Sequence, residues 1–526
     1  MLLLLAVPFL LRPGKEAKSG ARLPLVIVSP HNEAVQYEFE RAFRRWHAAN
    51  FGQDIDIDWR NIGGTSEIAR YLDSSFQAAE KAGLPGIGID LFFGGGEYDH
   101  ALQAKKNHTT PCGLRERHPE WLVPDIIPSR FSGETFYDRD DRWYGCCLSG
   151  FGICYNEDSL KYRGISSPPH QWQDLADYRF FEHIALADPT KSGSINKAFE
   201  MLIQQQIFAQ LNARGKTAEN AQPADLAEGW RRAIDLIRRI GANAKYFTDS
   251  AGKVTVDVAQ GNAAAGMCID FYGRFESETV ERNESSARMK YVMPENGSSI
   301  SVDPISMLRG APNRKQAERF IDFCLSVDGQ LIWNTRVGQP GGPIRYSLRR
   351  LPVRRDLYTA KYLENMSDPQ ALPYQNTGRF TYQAGWTSPF FNVIRALIKT
   401  MCIDPHDELQ HAWKAINDAG GPAACPQAMV VFSALPPGAE YGPALGQSAA
   451  ATANKLEEAE LMRAWTIFFR NQYRKAAELA REESRQKAQR HKVMKKARDN
   501  WSVLFFCHIV PVLTLCLWNY VPLCLS

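Results

Sequence analysis

This 526-residue chain has no CxxC pair and no His/Cys spacing suited to zinc, so a cysteine-bound structural metal is excluded. It contains no GxSxG elbow, no GxxxxGK[ST] loop, no HExxH and no GxGxxG following a strand; Gly86-Ile-Gly88 lacks the third glycine and the helix. The familiar local signatures of hydrolases, nucleotide-binding enzymes and zinc proteases are therefore missing. Net charge is small, +4, and residues 455–499 alone hold 13 Lys/Arg against 7 Asp/Glu, leaving the rest about neutral. A globally basic nucleic-acid binder is ruled out. Between Leu23 and Asn500 no apolar run is long enough to cross a bilayer, and no internal repeat occurs. What is present is 44% apolar composition over a length sufficient for two or three packed domains.

Two turns carry the chemistry. Ile184-Ala185-Leu186-Ala187 reads as a buried strand and is followed by Asp188-Pro189-Thr190-Lys191-Ser192-Gly193-Ser194. Ile195, Phe199, Leu202 and Ile203 then fall at i, i+4, i+7 and i+8, the spacing of an amphipathic helix. At Ser192–Ser194 a strand thus passes into a helix whose first amides are free, with two hydroxyls and a glycine beside them. Ser192 or Ser194 either caps the helix or helps to seat an anion. The second turn, Asn61-Ile62-Gly63-Gly64-Thr65-Ser66-Glu67, follows the strand-like Ile55–Trp59 and precedes Ile68, Tyr71, Leu72 and Phe76. Thr65 or Ser66 can cap, and the glycine pair permits close approach. Two such mouths suggest one ligand held between two α/β units, beyond the carboxyl ends of their strands.

From Leu23 to about Thr400 strands alternate with helices, which predicts α/β architecture with largely parallel pairing. The pattern gives strands at Leu25–Ser29, Ile55–Trp59, Ile89–Phe93 and Gly266–Asp270. It gives helices at Glu33–Ala49, Glu67–Ala82, Tyr98–Lys105, Gly229–Ile240, Val256–Gln260 and Lys315–Val327, with Trp143–Tyr155 extended. The stretch Gly420–Gly446, rich in Gly and Pro, reads as a linker within an extension at 401–452. Residues 453–500 read as one long charged helix with Leu461, Trp465, Phe468 and Ala476 on one side. Residues 501–525 carry no charge and, at ~1.5 Å per residue, reach far enough for a transmembrane helix. The basic cluster Arg481–Arg498 beside it favours the cytoplasmic side or attraction to anionic lipid, unless the helix is simply solvated. At the other end Met1–Leu11 has the apolar core of an export signal, without a basic segment before it, so 1–22 reads as a signal peptide or N-terminal anchor. Of the cysteines, Cys402 with Cys425 would close a short loop, and Cys146-Cys147 suits burial.

Across roughly 23–350 the chain resembles the extracellular solute-binding proteins of bacterial ABC importers. The likeness is nearest to the ferric-ion-binding branch and its relatives for phosphorylated or carboxylated small molecules. The segments that carry it are Leu25–Ala34, Gly63–Glu67, Asp90–Gly94, Tyr144–Asn156, Ala187–Ser194 and Val258–Tyr272. The resemblance implies a type II periplasmic-binding-protein fold, two lobes with a hinge, closing over ligand. Lobe one is expected at about 24–148 and 295–400, lobe two at about 149–294. Residues 501–522 are similar to the first membrane helix of a binding-protein-dependent permease. The implied partners are a small solute, ABC permease subunits and a membrane, with no nucleic acid, no cofactor and no catalysis, in a periplasmic or extracytoplasmic, membrane-tethered setting.

In the iron-binding branch a His, a Glu and paired Tyr supply hard ligands. Here His31 and Tyr272 match two positions, Phe271 stands at the other tyrosine, and the glutamate position falls among Gly94–Gly96. Two of four ligands are lost; if metal binds, the set is His31, Glu97, Asp270 and Tyr272. The preferred expectation is an anionic solute bearing phosphate, phosphonate or carboxylate. Its ligand-binding residues are His31, Thr65, Ser66, Ser149, Ser192, Gly193, Ser194, Asp270 and Tyr272, with Ser149 near the crossover and open to a hinge role. A two-domain α/β hydrolase or transferase is the alternative of another class.

Overall fold

A computed structural model describes residues 22–284, 287–375 and 380–504. It divides into two compact units, one running to Ala396 except for Gly241–Asn243, the other formed by those three residues with Leu397 onward. The predicted signal or anchor at 1–22 lies almost wholly outside the described residues, as does the predicted membrane span beyond Leu504. Among the described residues no helix is long and apolar enough to cross a membrane.

The larger unit contains two large sheets and a two-stranded one that pairs Arg130–Phe131 with Glu134–Thr135. Its elements in order are β1 (Leu23–Val28), α1 (Glu33–Phe51), β2 (Ile55–Arg60), α2 (Thr65–Lys81), β3 (Leu91–Phe93), α3 (Glu97–Lys105), β4 (Trp143–Ser149), β5 (Phe151–Asn156), β6 (Ile184–Ala187) and α4 (Gly193–Ala213). There follow α5 (Pro223–Asn243), β7 (Ala244–Thr248), α6 (Ala251–Ala259), β8 (Ala265–Ile269), α7 (Asp270–Glu284), β9 (Met289–Val292), β10 (Ser301–Met307), α8 (Arg314–Leu325), α9 (Val327–Asn334) and β11 (Leu351–Pro352). The first sheet has the order β11-β4-β10-β3-β1-β2, the second β9-β5-β8-β6-β7. Each is the core of one α/β lobe.

Pairing is mixed rather than largely parallel. The βα repeats pair in parallel, as β1 with β2 and β3 and β6 with β7 and β8, because a helix carries the chain back each time. Antiparallel pairs arise where β4, β5, β9 and β10 run between the sheets. Strands β4 and β5 are buried along their whole length, so they read as unbroken apolar runs. A single residue, Gly150, separates them at the crossing. The return crossing lies beside it, where the Ser298 hydroxyl accepts the Phe151 N–H at 3.0 Å and the Ser301 hydroxyl donates to the Ser149 carbonyl at 3.3 Å.

Helix α2 buries Ile68, Leu72 and Phe76 at four-residue spacing, as its pattern predicts. Helix α4 departs from expectation. Ile195, Phe199, Leu202 and Ile203 are buried, but so are Asn196, Glu200 and Gln204 on a second stripe. That polar stripe binds the segment 380–396. The Asn196 amide donates to the Phe391 carbonyl at 2.8 Å, Gln204 to the Gln383 carbonyl at 2.8 Å, and Tyr382 and Thr387 donate to the Glu200 carboxylate at 2.7 and 2.6 Å. The same segment reaches the first lobe, where Arg395 donates to the Ser66 hydroxyl at 2.9 Å and Phe391 packs on Tyr98. Residues 380–396 therefore touch both lobes instead of belonging to lobe one.

In the second unit the helices are α10 (His406–Asp418), α11 (Pro426–Phe432), α12 (Pro443–Ala451) and α13 (Lys455–Leu504). The Gly/Pro-rich stretch is no free linker: it forms α11 and the start of α12, and buries Cys425, Phe432 and Leu445. The Glu483 carboxylate of α13 accepts the Gln427 and Ala428 amides at the start of α11. The buried stripe of α13 is Trp465, Phe469, Tyr473, Ala476 and Ala480, so Phe469 takes the inward place expected of Phe468. All eight described cysteines are buried and outside any disulfide, Cys402 and Cys425 included.

Candidate functional site

A cavity of about 380 Å³ lies between the two lobes. Its walls are the first turns of five helices, each following a strand or its connecting loop: His31 and Asn32 at α1, Gly64 and Thr65 at α2, Ser192–Ser194 at α4, Ser250–Gly252 at α6, and Phe271 with Tyr272 at α7. A helix start presents unsatisfied amides and the positive end of the macrodipole, so five of them facing one space favour negative charge there. Glu67 and Asp249 also line the space and oppose that field in part.

The two predicted mouths sit on opposite walls. At α4 the Ser192 hydroxyl accepts the Ile195 N–H at 3.3 Å, so it caps the helix while lining the cavity. At α2 the cap is Gly64, one residue earlier than Thr65 and two earlier than Ser66, and the Glu67 carboxylate accepts the Gly64 N–H at 2.9 Å. Gly64 has φ −71°, open to any residue, yet a Cβ there would stand 2.7 Å from the Lys191 carbonyl oxygen of the other lobe. Lobe approach, not backbone conformation, requires this glycine.

Of the nine residues expected at the ligand, His31, Thr65, Ser192, Gly193, Ser194 and Tyr272 line the cavity, and Ser66, Ser149 and Asp270 do not. Each of the three is committed elsewhere. Ser66 is buried and accepts from Arg395. The Asp270 carboxylate accepts the Phe271 N–H and the Arg274 guanidinium, both at 2.8 Å. Ser149, at the crossing, donates to Asp303 at 2.8 Å and accepts from Arg350 at 2.9 Å. Of the possible metal set, Glu97 borders an adjoining recess and Asp270 is paired with Arg274. Among the described residues no group of three or more His, Cys, Asp or Glu is placed to hold a metal ion.

The floor of the cavity holds residues that sequence reading missed. Arg350, 2% exposed, is ion-paired with Asp303, lies 4.4 Å over the Phe271 ring and donates to His31 Nε2 at 3.1 Å. Burial lowers the His31 pKa well below the ordinary imidazole value, and the charge of Arg350 lowers it further. The neutral ring accepts at Nε2 and carries its proton on Nδ1, which is buried without a partner. Burial raises the Tyr272 pKa, so its phenol also stays protonated as a donor. Burial pushes Asp303 up as well, against the pull of Arg350. Strand β10 shifts register between Asp303 and Pro304, where the proline cannot donate to the ladder, and that break sets Asp303 at the floor. Amides, hydroxyls and the neutral donors His31 and Tyr272 thus share the space with the charged Glu67, Lys191, Asp249, Asp303 and Arg350.

Residues 122–342 match the family model described as bacterial extracellular solute-binding protein. The likeness read from the sequence is to this family. Over 289 residues, 54% of this chain and 70% of the relative, the chain is 26% identical to an uncharacterised protein of Haemophilus influenzae. It is 23% identical over 232 residues, 43% of this chain and 58% of the relative, to a putrescine/agmatine-binding protein of Pseudomonas aeruginosa. Among solved structures it is similar to the periplasmic binding protein AfuA of Actinobacillus pleuropneumoniae with fructose-6-phosphate bound. That match has 18% identity and a TM-score of 0.47, covering 64% of this chain and 86% of that one.

Proposed function

We propose that the chain is the extracytoplasmic receptor of an ABC importer, capturing a small solute that bears a phosphate, phosphonate or carboxylate group. The observation that carries this reading is the convergence of five helix starts on one cavity between two lobes. Capture is a population shift: an anion touching the α2 and α4 mouths together binds the closed state better than the open one, and the closed form is what permease subunits engage. His31 Nδ1 and the Tyr272 hydroxyl add neutral donors, while Arg350 is largely spent on Asp303. In the same reading the uncharged residues 501–525 tether the receptor to a membrane.

Titration calorimetry with inorganic phosphate, ethylphosphonate and acetate tests this. At least one should bind, and the double replacement Ser192→Leu with Ser194→Leu should weaken it tenfold or more, the scale of lost charge-assisted hydrogen bonds. Circular dichroism should show the fold retained. Absence of binding by all three anions, or undiminished affinity in the double variant, rejects the reading.

A further inference from the structure

A second, smaller recess of about 40 Å³ opens beside the main cavity, sharing Thr65, Gly95, Gly193, Ser194, Ile269 and Asp303 with it. Its size is that of one ammonium group or one water. Glu97, Asp99 and Glu134 line it with Lys197. Glu134 and Glu200 already hold Lys197, at 3.1 and 2.9 Å, and Asp303 already holds Arg350. That leaves Glu97 and Asp99 over. Asp99 is 4% exposed, borders the recess, and makes no ion pair or side-chain hydrogen bond among the described residues. A carboxylate that deep, with the charge of Arg395 near it but no ion pair or hydrogen bond to its oxygens, is costly unless a cation or donor arrives to meet it.

We propose that this recess receives the protonated amine of a ligand whose anionic end lies on the α2 and α4 mouths, so that the solute is a small zwitterion. The inference rests on the anion-seat reading and narrows it. Burial and the neighbouring Glu134 hold the Glu97 carboxyl at about 7, and burial also raises Asp99 in spite of Arg395. A bound ammonium would draw both back toward the charged form. If the two acids serve only to complement the start of α3, removing their charge leaves ligand preference untouched.

The test is calorimetry of the full chain with three probes: O-phosphoethanolamine, ethyl phosphate and n-propylamine. The amino ester should bind at least tenfold more tightly than ethyl phosphate. Asp99→Asn, nearly isosteric, should bring that preference below threefold, and Glu97→Gln provides the same readout should the first variant fold poorly. Equal binding of the two esters by the native protein, or a preference that survives in both variants, overturns the proposal and leaves the anion seat standing. Binding of propylamine with neither ester overturns the anion seat and leaves the recess as a cation site. No binding by any probe overturns both.

Discussion

The α2 and α4 mouths face one cavity but are built differently. At α4 the cap is a hydroxyl, no acidic residue stands in the first turn, and a Cβ on Gly193 would meet Thr65 and Asp99 at ordinary contact distances of 3.7 and 3.8 Å. At α2 the cap is a glycine, the Glu67 carboxylate takes the Gly64 amide, and the neighbouring lobe stands against Gly64. On the proposed reading one mouth is the stronger anion seat, and the other is the contact that senses closure. The same strand-to-helix architecture thus serves attraction on one wall and steric registration on the other.

The sharpest way to break this contrast is a methyl group. Gly64→Ala should reduce affinity for whichever anion binds by tenfold or more, because the lobes must part to clear the Lys191 carbonyl, while Gly193→Ala should change it less than threefold; calorimetry on both variants decides. Next in size, Glu67→Gln keeps a capping side chain but removes a negative charge from the weaker mouth. Anion affinity should rise two- to fivefold, the range of a helix-terminus charge effect, and more at low salt than at high. The smallest effect concerns the recess between the walls. An unfolded glutamate loses its proton near 4.5, whereas folded Glu97 holds it to about 7, so this group costs stability as pH rises through that window. Glu97→Gln removes the cost, and its melting temperature should exceed that of the native chain by about 2 °C more at pH 8 than at pH 5.

Much of this site was legible because its elements are local. A strand, a short hydroxyl- and glycine-bearing turn and a helix lie within twenty residues, and the pattern places the starts of α2 and α4 to within two positions, whereas α6, expected from Val256, begins at Ala251. The one-residue error at Gly64 arose because glycine competes with hydroxyl residues at that cap, and the deciding partner, Glu67, acts through its side chain. Arg350 left no such trace. It meets His31 across more than three hundred residues, and nothing in Leu348-Arg349-Arg350-Leu351 distinguishes it from a surface arginine. Asn196, Glu200 and Gln204 gave no signal for the converse reason: a polar stripe on an amphipathic helix ordinarily faces water, and here it faces a distant part of the same chain. The Gly/Pro-rich stretch likewise misleads by composition, since proline at a first helical position starts α11 and α12 rather than preventing them.

The segment 380–396 has a mechanical consequence. Two crossings, at Gly150 and near Ser298–Ser301, would let the lobes swing about a narrow axis. A strap fastened to α4 on one bank and to Ser66 and Tyr98 on the other would limit that swing, so on the proposed reading release of the guest must either unfasten Arg395 from Ser66 or carry the strap along with one jaw.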